Sequence, residues 1–429
     1  MLAALRQRNF AYLWFGQVIS LIGDWVLFVA LPFYVYSLTG STLATGIMFI
    51  VQTIPMIFFG SVAGVFVDRW DRKRTMLIAN LAQAGALIPL FLVHSQQWIW
   101  VVYIFAFIEA SISQFFDPAK SAIIPNLVDE EHLLAANSLN SMSQELTRLV
   151  GPLLGGLLLG FFGINSVIVV DAASFLISAC MIALIVLPPR TQQPQAQHAS
   201  FHPFSTIGTV WHEWADGLKL VRKQQLICGI FVVFGVAMIG EGIIEVVLAP
   251  YVKNVMHGNA LVLGWLMTAQ AIGGIAGSLI IVQLSKIIHP TRLIPVSALI
   301  LGTLLFIVAQ FPLFKVVVPV ITIAGIGVIG FFVSMITLLQ SNVSDQYRGR
   351  IFGALNTVQA AAMLFGMILA SGLGDRIGII PTIELDACFN ILAGILAFFM
   401  IRKRNISASE EATDAPAQDS ALEPDTISL

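Results

Sequence analysis

Charge is scarce in this chain. Only 11% of its 429 residues are Asp, Glu, Lys or Arg, 57% are hydrophobic, and the mean hydropathy is +0.88. Soluble domains carry roughly 25% charged residues, so a water-exposed globular fold is excluded and an integral membrane protein is expected. Cysteine is rarer still. Cys180, Cys228 and Cys388 lie inside apolar runs and read as small hydrophobes, with neither a disulfide framework nor a metal site expected. There is no Gly-x-x-x-x-Gly-Lys phosphate loop, no His-Glu-x-x-His and no Gly-x-Ser-x-Gly. An enzyme is therefore not expected, and no cofactor. The seven histidines sit near predicted loops, which argues against haem ligation within a membrane. Net charge is −2 and the basic residues are dispersed, so no nucleic-acid partner is expected. The first apolar run follows Arg6 and Arg8 and is too long for a signal-peptide core, so no cleaved leader is expected either.

Long apolar runs take the place of charge. At about 20 residues per crossing, twelve spans are predicted, over 10–37, 43–67, 75–94, 98–116, 136–160, 165–187, 227–252, 261–284, 293–311, 316–340, 351–373 and 380–401. The fold class is an all-α membrane protein of twelve transmembrane helices. The first span is overlong and contains Pro32, so a tilt or kink is expected. Of the 22 basic residues, eighteen fall on the side of the N-terminus; Lys253, Lys315 and Arg376 fall opposite, and Arg148 lies within a span. By the positive-inside rule both termini are cytoplasmic.

A hydrophilic segment divides the spans six and six. The expected organisation is a first bundle over 1–187, a linker over 188–225, a second bundle over 226–404 and an acidic tail over 405–429. Trp211, Trp214, Leu218 and Val221 share one helical face of the linker, which is either an interfacial amphipathic helix or a plain solvated connection. The tail has six acids and no base and reads as disordered. The halves look related. Asn126, Asp129, Leu139, Asn140 and Gly156 recur at one constant offset as Asn342, Asp345, Leu355, Asn356 and Gly372. Leu43, Gly46 and Gln52 recur at a nearly equal offset as Leu261, Gly264 and Gln270. A repeated six-helix unit places a substrate site between the halves near the midplane and supplies alternating access by rocking.

Ionisable side chains inside spans are costly and by default functional. The candidates are Asp24, Glu109, Glu145, Arg148, Asp171, Glu241 and Glu245. Asp24 lies near mid-depth, as either a structural acid or one that binds protons or substrate. Glu241 and Glu245 are four apart on one helical face, where two carboxylates disfavour double ionisation. Arg148 is the only base at depth, and Glu109, Glu145 and Asp24 are its candidate partners. Asp171 is expected towards the outer part of its helix, where partial hydration suits a structural role. Gly151, Pro152, Gly155 and Gly156 form a small-residue face suited to close helix packing.

One loop carries more. Residues 64–74 concentrate six charges in seven positions between two apolar runs. The order Gly-x-x-x-Asp-Arg-x-Asp-x-Lys-Arg resembles the loop between helices 2 and 3 of the major facilitator superfamily, with Gly64, Asp68, Arg69, Lys73 and Arg74 matching and Asp71 standing where glycine is usual. Lys286 occupies the place of Asp68 in the second half, so this loop has no duplicate. Gly151-Pro152-Leu153-Leu154-Gly155-Gly156 resembles the core of the antiporter motif, without its upstream glycines. Residues 115–120, with Ile124-Pro125 and Ala135-Ala136-Asn137, look like the macrolide-efflux-type drug exporters and siderophore exporters. Gly23-Asp24 and Pro118-Ala119-Lys120 also resemble the lysophospholipid transporters. The arginine that many drug:proton antiporters carry in helix 4 is absent.

The resemblance implies two six-helix bundles in a bacterial inner membrane, working as a monomer among lipids. It implies export of an amphiphilic substrate, cationic in the reading that sets it against Asp24 and Glu241, in exchange for protons. Asp68, supported by Arg69, would face the start of a late helix near Ile351 and gate the inner mouth. A lysophospholipid transporter or siderophore exporter of the same fold is the alternative. An uncoupled channel would usually show a ring of charges, which these asymmetric acids do not make. A non-transporting scaffold leaves the buried acids unexplained.

Overall fold

The computed structural model describes residues 4–67, 69–186 and 224–402. Asp68, the linker tryptophans Trp211 and Trp214 and the acidic tail lie outside them. Twelve helices long and apolar enough to cross a membrane run through the described residues. They are α1 (Arg8–Thr39), α2 (Thr42–Val67), α3 (Arg72–Ala86), α4 (Ile99–Ile123), α5 (Leu133–Phe162) and α6 (Ile164–Ala183) in the first half. The second half has α7 (Gln225–Pro250), α8 (Ala260–Leu284), α9 (Pro290–Gln310), α10 (Phe314–Asn342), α11 (Asp345–Ile377) and α12 (Ile379–Ala397).

Pro32 sits inside one continuous α1. Two boundaries differ from expectation for local reasons. The α3 crossing finishes as a 3-10 turn over Ile88–Leu92, where Pro89 removes a helical donor. Conversely, α4 runs past 116 to Ile123, and an ion pair from Lys120 Nζ to Asp117 Oδ1 at 2.9 Å spans its added turn. Lys120 is thus a buried helical residue rather than a loop charge.

The two halves share a plan. In each, the first helix packs on the fifth and sixth, or their counterparts: α1 on α5 and α6, α7 on α11 and α12. The last two helices of each half are joined by one glycine with positive φ, Gly163 at +77° and Gly378 at +94°, where a side chain would be strained. Among the described residues the buried apolar side chains fall into three clusters. One draws on both halves, with Val26, Ala30, Phe49 and Ile168 from the first and Val246, Leu263, Met367 and Ile383 from the second. The other two are private: Phe10, Met76, Ile123 and Leu139 in the first half, and Ile227, Phe234, Leu339 and Ile401 in the second. The private clusters lie towards the face that carries the N-terminus, here the near face. The shared cluster reaches the far face, so the bundles are fused there.

Candidate functional site

A cavity of about 280 Å³ opens between α1, α2, α4 and α6. Its polar lining is Asp24, Gln52, Glu109 and Asp171; its apolar wall includes Trp25, Phe28, Leu31, Met48 and Phe105. Local packing fixes each acid. Gly23 on α1 lies so close to α6 that a Cβ there would run into Ser174 and Asp171. This contact brings the neighbouring Asp24 to the level of Asp171. Glu109 on α4 accepts from Ser113 Oγ at 3.1 Å and is hydrogen-bonded by Gln52 of α2. Asp171 is 1% exposed; Ser174 Oγ lies 3.4 Å from its Oδ1, and its Oδ2 has no partner among the described residues.

The expectation for Asp171 is therefore corrected. It is a buried member of the same site as Asp24 and Glu109, because depth counted along α6 takes no account of where α1 crosses it. Lys120 and Asp117 lie on the same side, close enough for their charges to act on Asp24.

The second half has its own acids. Glu241 and Glu245 are within electrostatic reach of one another on α7, and the buried Glu245 Oε2 has no partner among the described residues. Glu241 is also in reach of Asp386 on α12, a residue the sequence reading passed over. Asp386 is 1% exposed, accepts from Asn390 Nδ2 at 2.7 Å through Oδ1, and leaves Oδ2 likewise without a partner. Gly240 repeats the role of Gly23, since a Cβ there would meet Asp386 and Asn390. The shared spacing was the available signal: Asp171 and Asp386 are separated by almost the same offset as the repeated positions already visible in the sequence.

Arg148 does not pair with any of the three acids expected for it. It is exposed on α5, and its charge reaches Glu241 across the boundary between the halves. Glu145, one turn earlier, is exposed too.

The helix-packing residues divide their contacts. A Cβ at Gly151 would meet Trp25, and one at Gly155 would meet the Val26 backbone, so both bring α5 against α1. Gly156 faces the Ala260 and Leu261 backbone of α8, and Pro152 faces Gly264 of α8, so these two join the halves. Thr268 Oγ1 extends that seam by donating to the Leu149 carbonyl at 3.1 Å.

In the charged loop, Gly64 has open space around it, and Arg69 and Trp70 are exposed. Asp71, the departure from the usual glycine, caps α3 by accepting from the Arg74 N–H at 2.8 Å. Lys73 Nζ donates to the Ala183 and Ile185 carbonyls at 2.8 and 2.7 Å, closing the end of α6. Arg72 Nη1 donates to the Ala122 carbonyl near the end of α4 at 2.7 Å. Two of the loop's bases thus hold helix C-termini, which the motif alone did not indicate.

At the far face, α11 reaches across to α2. Asp375 accepts from Ser41 Oγ at 2.6 Å and from the Thr42 and Leu43 backbone N–H groups at 2.6 and 3.2 Å. Gly374 lies against Thr42, and Asn254 donates to the Tyr36 hydroxyl. On the near face, Asp129, Glu131 and His132 bring potential ligand atoms within 4.8 Å of one another, but both acids are exposed and nothing else there marks a metal site.

Comparison with known proteins agrees with this arrangement. The sequence profile described as transmembrane secretion effector, of the major facilitator type, matches residues 1–426. Macrolide efflux protein A of Streptococcus pyogenes is 26% identical over 375 residues, covering 86% of this chain and 90% of that protein. The multidrug efflux pump Tap of Mycolicibacterium fortuitum is 25% identical, covering 92% and 97%. In fold, a bacterial homologue of the iron transporter ferroportin in an inward-facing state superposes with a TM-score of 0.72 at 14% identity, covering 91% of this chain and 98% of that one. Two six-helix bundles, a matching loop between helices 2 and 3 and a profile spanning nearly the whole chain place this protein in the transmembrane secretion effector family of major facilitator transporters.

Proposed function

We propose that the protein exports amphiphilic cations from a bacterial cytoplasm in exchange for protons. The observation that carries this reading is the convergence of Asp24, Glu109 and Asp171 on one aromatic-walled cavity of about 280 Å³. An apolar wall receives the greasy part of a substrate, and carboxylates removed from water favour a positive charge beside them. Three acids aimed at one space disfavour the phosphate of a lysophospholipid and the anionic groups of a siderophore. Drug efflux by the two named relatives agrees with an exporter of small molecules.

Alternating access follows from the division of the core. The shared cluster and the Asp375 contact close the far face, while the near-face clusters belong to one half each. With both termini cytoplasmic, this is an inward-open state. A proton reaching a cavity acid from outside weakens its hold on the cation, and return to the inward state releases that proton. Asp68 and Arg69 serve as the inner gate, closing on the start of α11 near Ile351 when the halves rock. Glu241, with Arg148 facing it, reports the state of the second half to the first.

Binding tests the site separately from transport. Trp25 lines the cavity, so tryptophan fluorescence of purified protein should change with a lipophilic cation and saturate. Asp24→Asn should weaken that binding at least tenfold while leaving a neutral analogue of the same size little affected. Equal binding of cation and neutral analogue by native protein would contradict a cation site.

A further inference from the structure

The three cavity acids are not equally provided with hydrogen-bond donors. No hydrogen bond reaches the Asp24 carboxylate from the described residues. Asp171 has Ser174 Oγ 3.4 Å from its Oδ1, but that hydroxyl has one hydrogen, and the Asp171 carbonyl at 2.7 Å is its nearer acceptor. Glu109 differs. Ser113 Oγ donates to its Oε1 at 3.1 Å, and Gln52 supplies a second hydrogen bond from α2. Behind Ser113 stands Gln83 of α3, 4% exposed and outside the cavity lining, whose Nε2 donates to Ser113 Oγ at 3.1 Å.

Chemistry gives this chain its direction. An amide nitrogen only donates, and an ionised carboxylate only accepts, so the Ser113 hydroxyl takes from Gln83 and gives to Glu109. A helical serine ordinarily returns its hydrogen to a backbone carbonyl one turn back. Ser111, on the same helix, does so to the Phe107 carbonyl at 2.6 Å. Ser113 gives its hydrogen to a side chain instead.

We propose that Glu109 is the standing anion of the cavity, charged in the loaded and in the empty state, and that Gln83 keeps it so by way of Ser113, leaving the exchanged proton to Asp24 and Asp171. Gln83 is a positioning residue, acting on the site through Ser113 alone. This deepens the exporter reading and rests on it only for the nature of the substrate.

Donors aimed at a carboxylate stabilise its charged form. A hydrogen bond to a charged acceptor is roughly twice as strong as one between neutral groups, and members of a chain polarise one another. Burial disfavours charge at all three acids, so the donors decide among them. The charges around Glu109 oppose its own: Asp24 of α1 and Asp171 of α6 line the same cavity, and Asp117 lies two turns along α4, paired with Lys120 at 2.9 Å. Of the helices packed on α4, α2 has no ionisable side chain, and those of α3 (Arg72, Lys73 and Arg74) lie in its first turn at the near face. A proton taken by Asp24 or Asp171 removes part of this repulsion, so the acids without donors titrate first and spare Glu109.

Infrared difference spectroscopy of the full chain in nanodiscs reads the charge without substrate or gradient, because the C=O stretch of a protonated carboxyl lies apart from that of a carboxylate. The Glu109 component is the one lost in Glu109→Gln. In native protein it should appear only on acidification below the range in which the components lost in Asp24→Asn and Asp171→Asn appear. Gln83→Leu and Ser113→Ala should each bring it in about one pH unit higher. Ser113→Thr, which keeps the hydroxyl, should return it to the native position, a rescue that loosened packing would not show. Binding of tetraphenylphosphonium, followed by Trp25 fluorescence, should be lost at a correspondingly higher pH in Gln83→Leu and Ser113→Ala, with a neutral analogue of the same size unaffected. A Glu109 component already present in native protein at neutral pH, or one unmoved in both variants, would overturn the proposal. A component that moves as expected in a protein that binds no tetraphenylphosphonium would support the role of Gln83 and count against the exporter reading alone.

Discussion

The Asp375 carboxylate of α11 accepts the Thr42 backbone N–H of α2 at 2.6 Å, capping from one half a helix that begins in the other. An anion at a helix N-terminus meets both unsatisfied N–H groups and the positive end of the helix dipole. The contact ties the two halves together at the far face, so its loss should favour opening of that face. Removing a cap costs about 1 kcal/mol, enough to shift a two-state population roughly fivefold. Asp375→Ala should therefore lengthen the distance distribution between spin labels at Trp98 and Leu313, on far-face turns of opposite halves, in a background lacking Cys180, Cys228 and Cys388. An unchanged distribution would mean that the apolar seam alone holds this face.

Two adjacent glycines should separate folding from gating. Gly155 packs on Val26 within the first half, and Gly156 on Ala260 of the second. Overpacking of a tight contact costs about 1–3 kcal/mol. Gly155→Val should lower thermal stability of the detergent-solubilised protein with little change in the label distances. Gly156→Val should lengthen those distances with a smaller loss of stability. The reverse pattern would contradict the division of α5 into an inward and a cross-bundle face.

The charged loop should behave as anchor and gate in different residues. Lys73 closes the end of α6 with two hydrogen bonds, each worth about 1 kcal/mol or somewhat more. Lys73→Ala should lower the melting temperature by several degrees. Arg74→Ala, which removes an exposed side chain, should leave it nearly unchanged while transport falls if the base serves the gate. Equal melting temperatures for the two variants would remove Lys73 from the anchoring role.

Much of this architecture is legible in the sequence. Apolar runs of membrane length fix twelve crossings, and the six-six division follows from one hydrophilic break. Asp24, Glu109 and Glu241 stand out because an acid in an apolar run is conspicuous. What the sequence conceals is which helix faces which. Asp171 was misjudged because its depth was counted from the ends of its own span, while the Gly23 contact that sets it beside Asp24 is a property of two helices. Asp386 was not among the candidates, although it lies as far into its span as Asp171 does. Arg148 was given partners in its own half because pairing across the boundary depends on how the bundles dock. Lys73 belongs to a familiar pattern and Arg72 fills a variable place in it, yet the carbonyls they bind belong to helices distant from them in the chain.

The central claim is proton-coupled export, and everted vesicles with an acid interior address it most directly. Lipophilic cations, macrolides and lysophospholipids would be added in turn to vesicles carrying native protein, Asp24→Asn or Glu241→Gln, with proton release followed by a trapped pH indicator. The account expects a lipophilic cation to drive proton release from native vesicles, with Asp24→Asn abolishing it and Glu241→Gln reducing it severalfold. Transport that persists without the gradient and is indifferent to both substitutions would contradict antiport, and transport of lysophospholipid in its place would contradict the cation site as well.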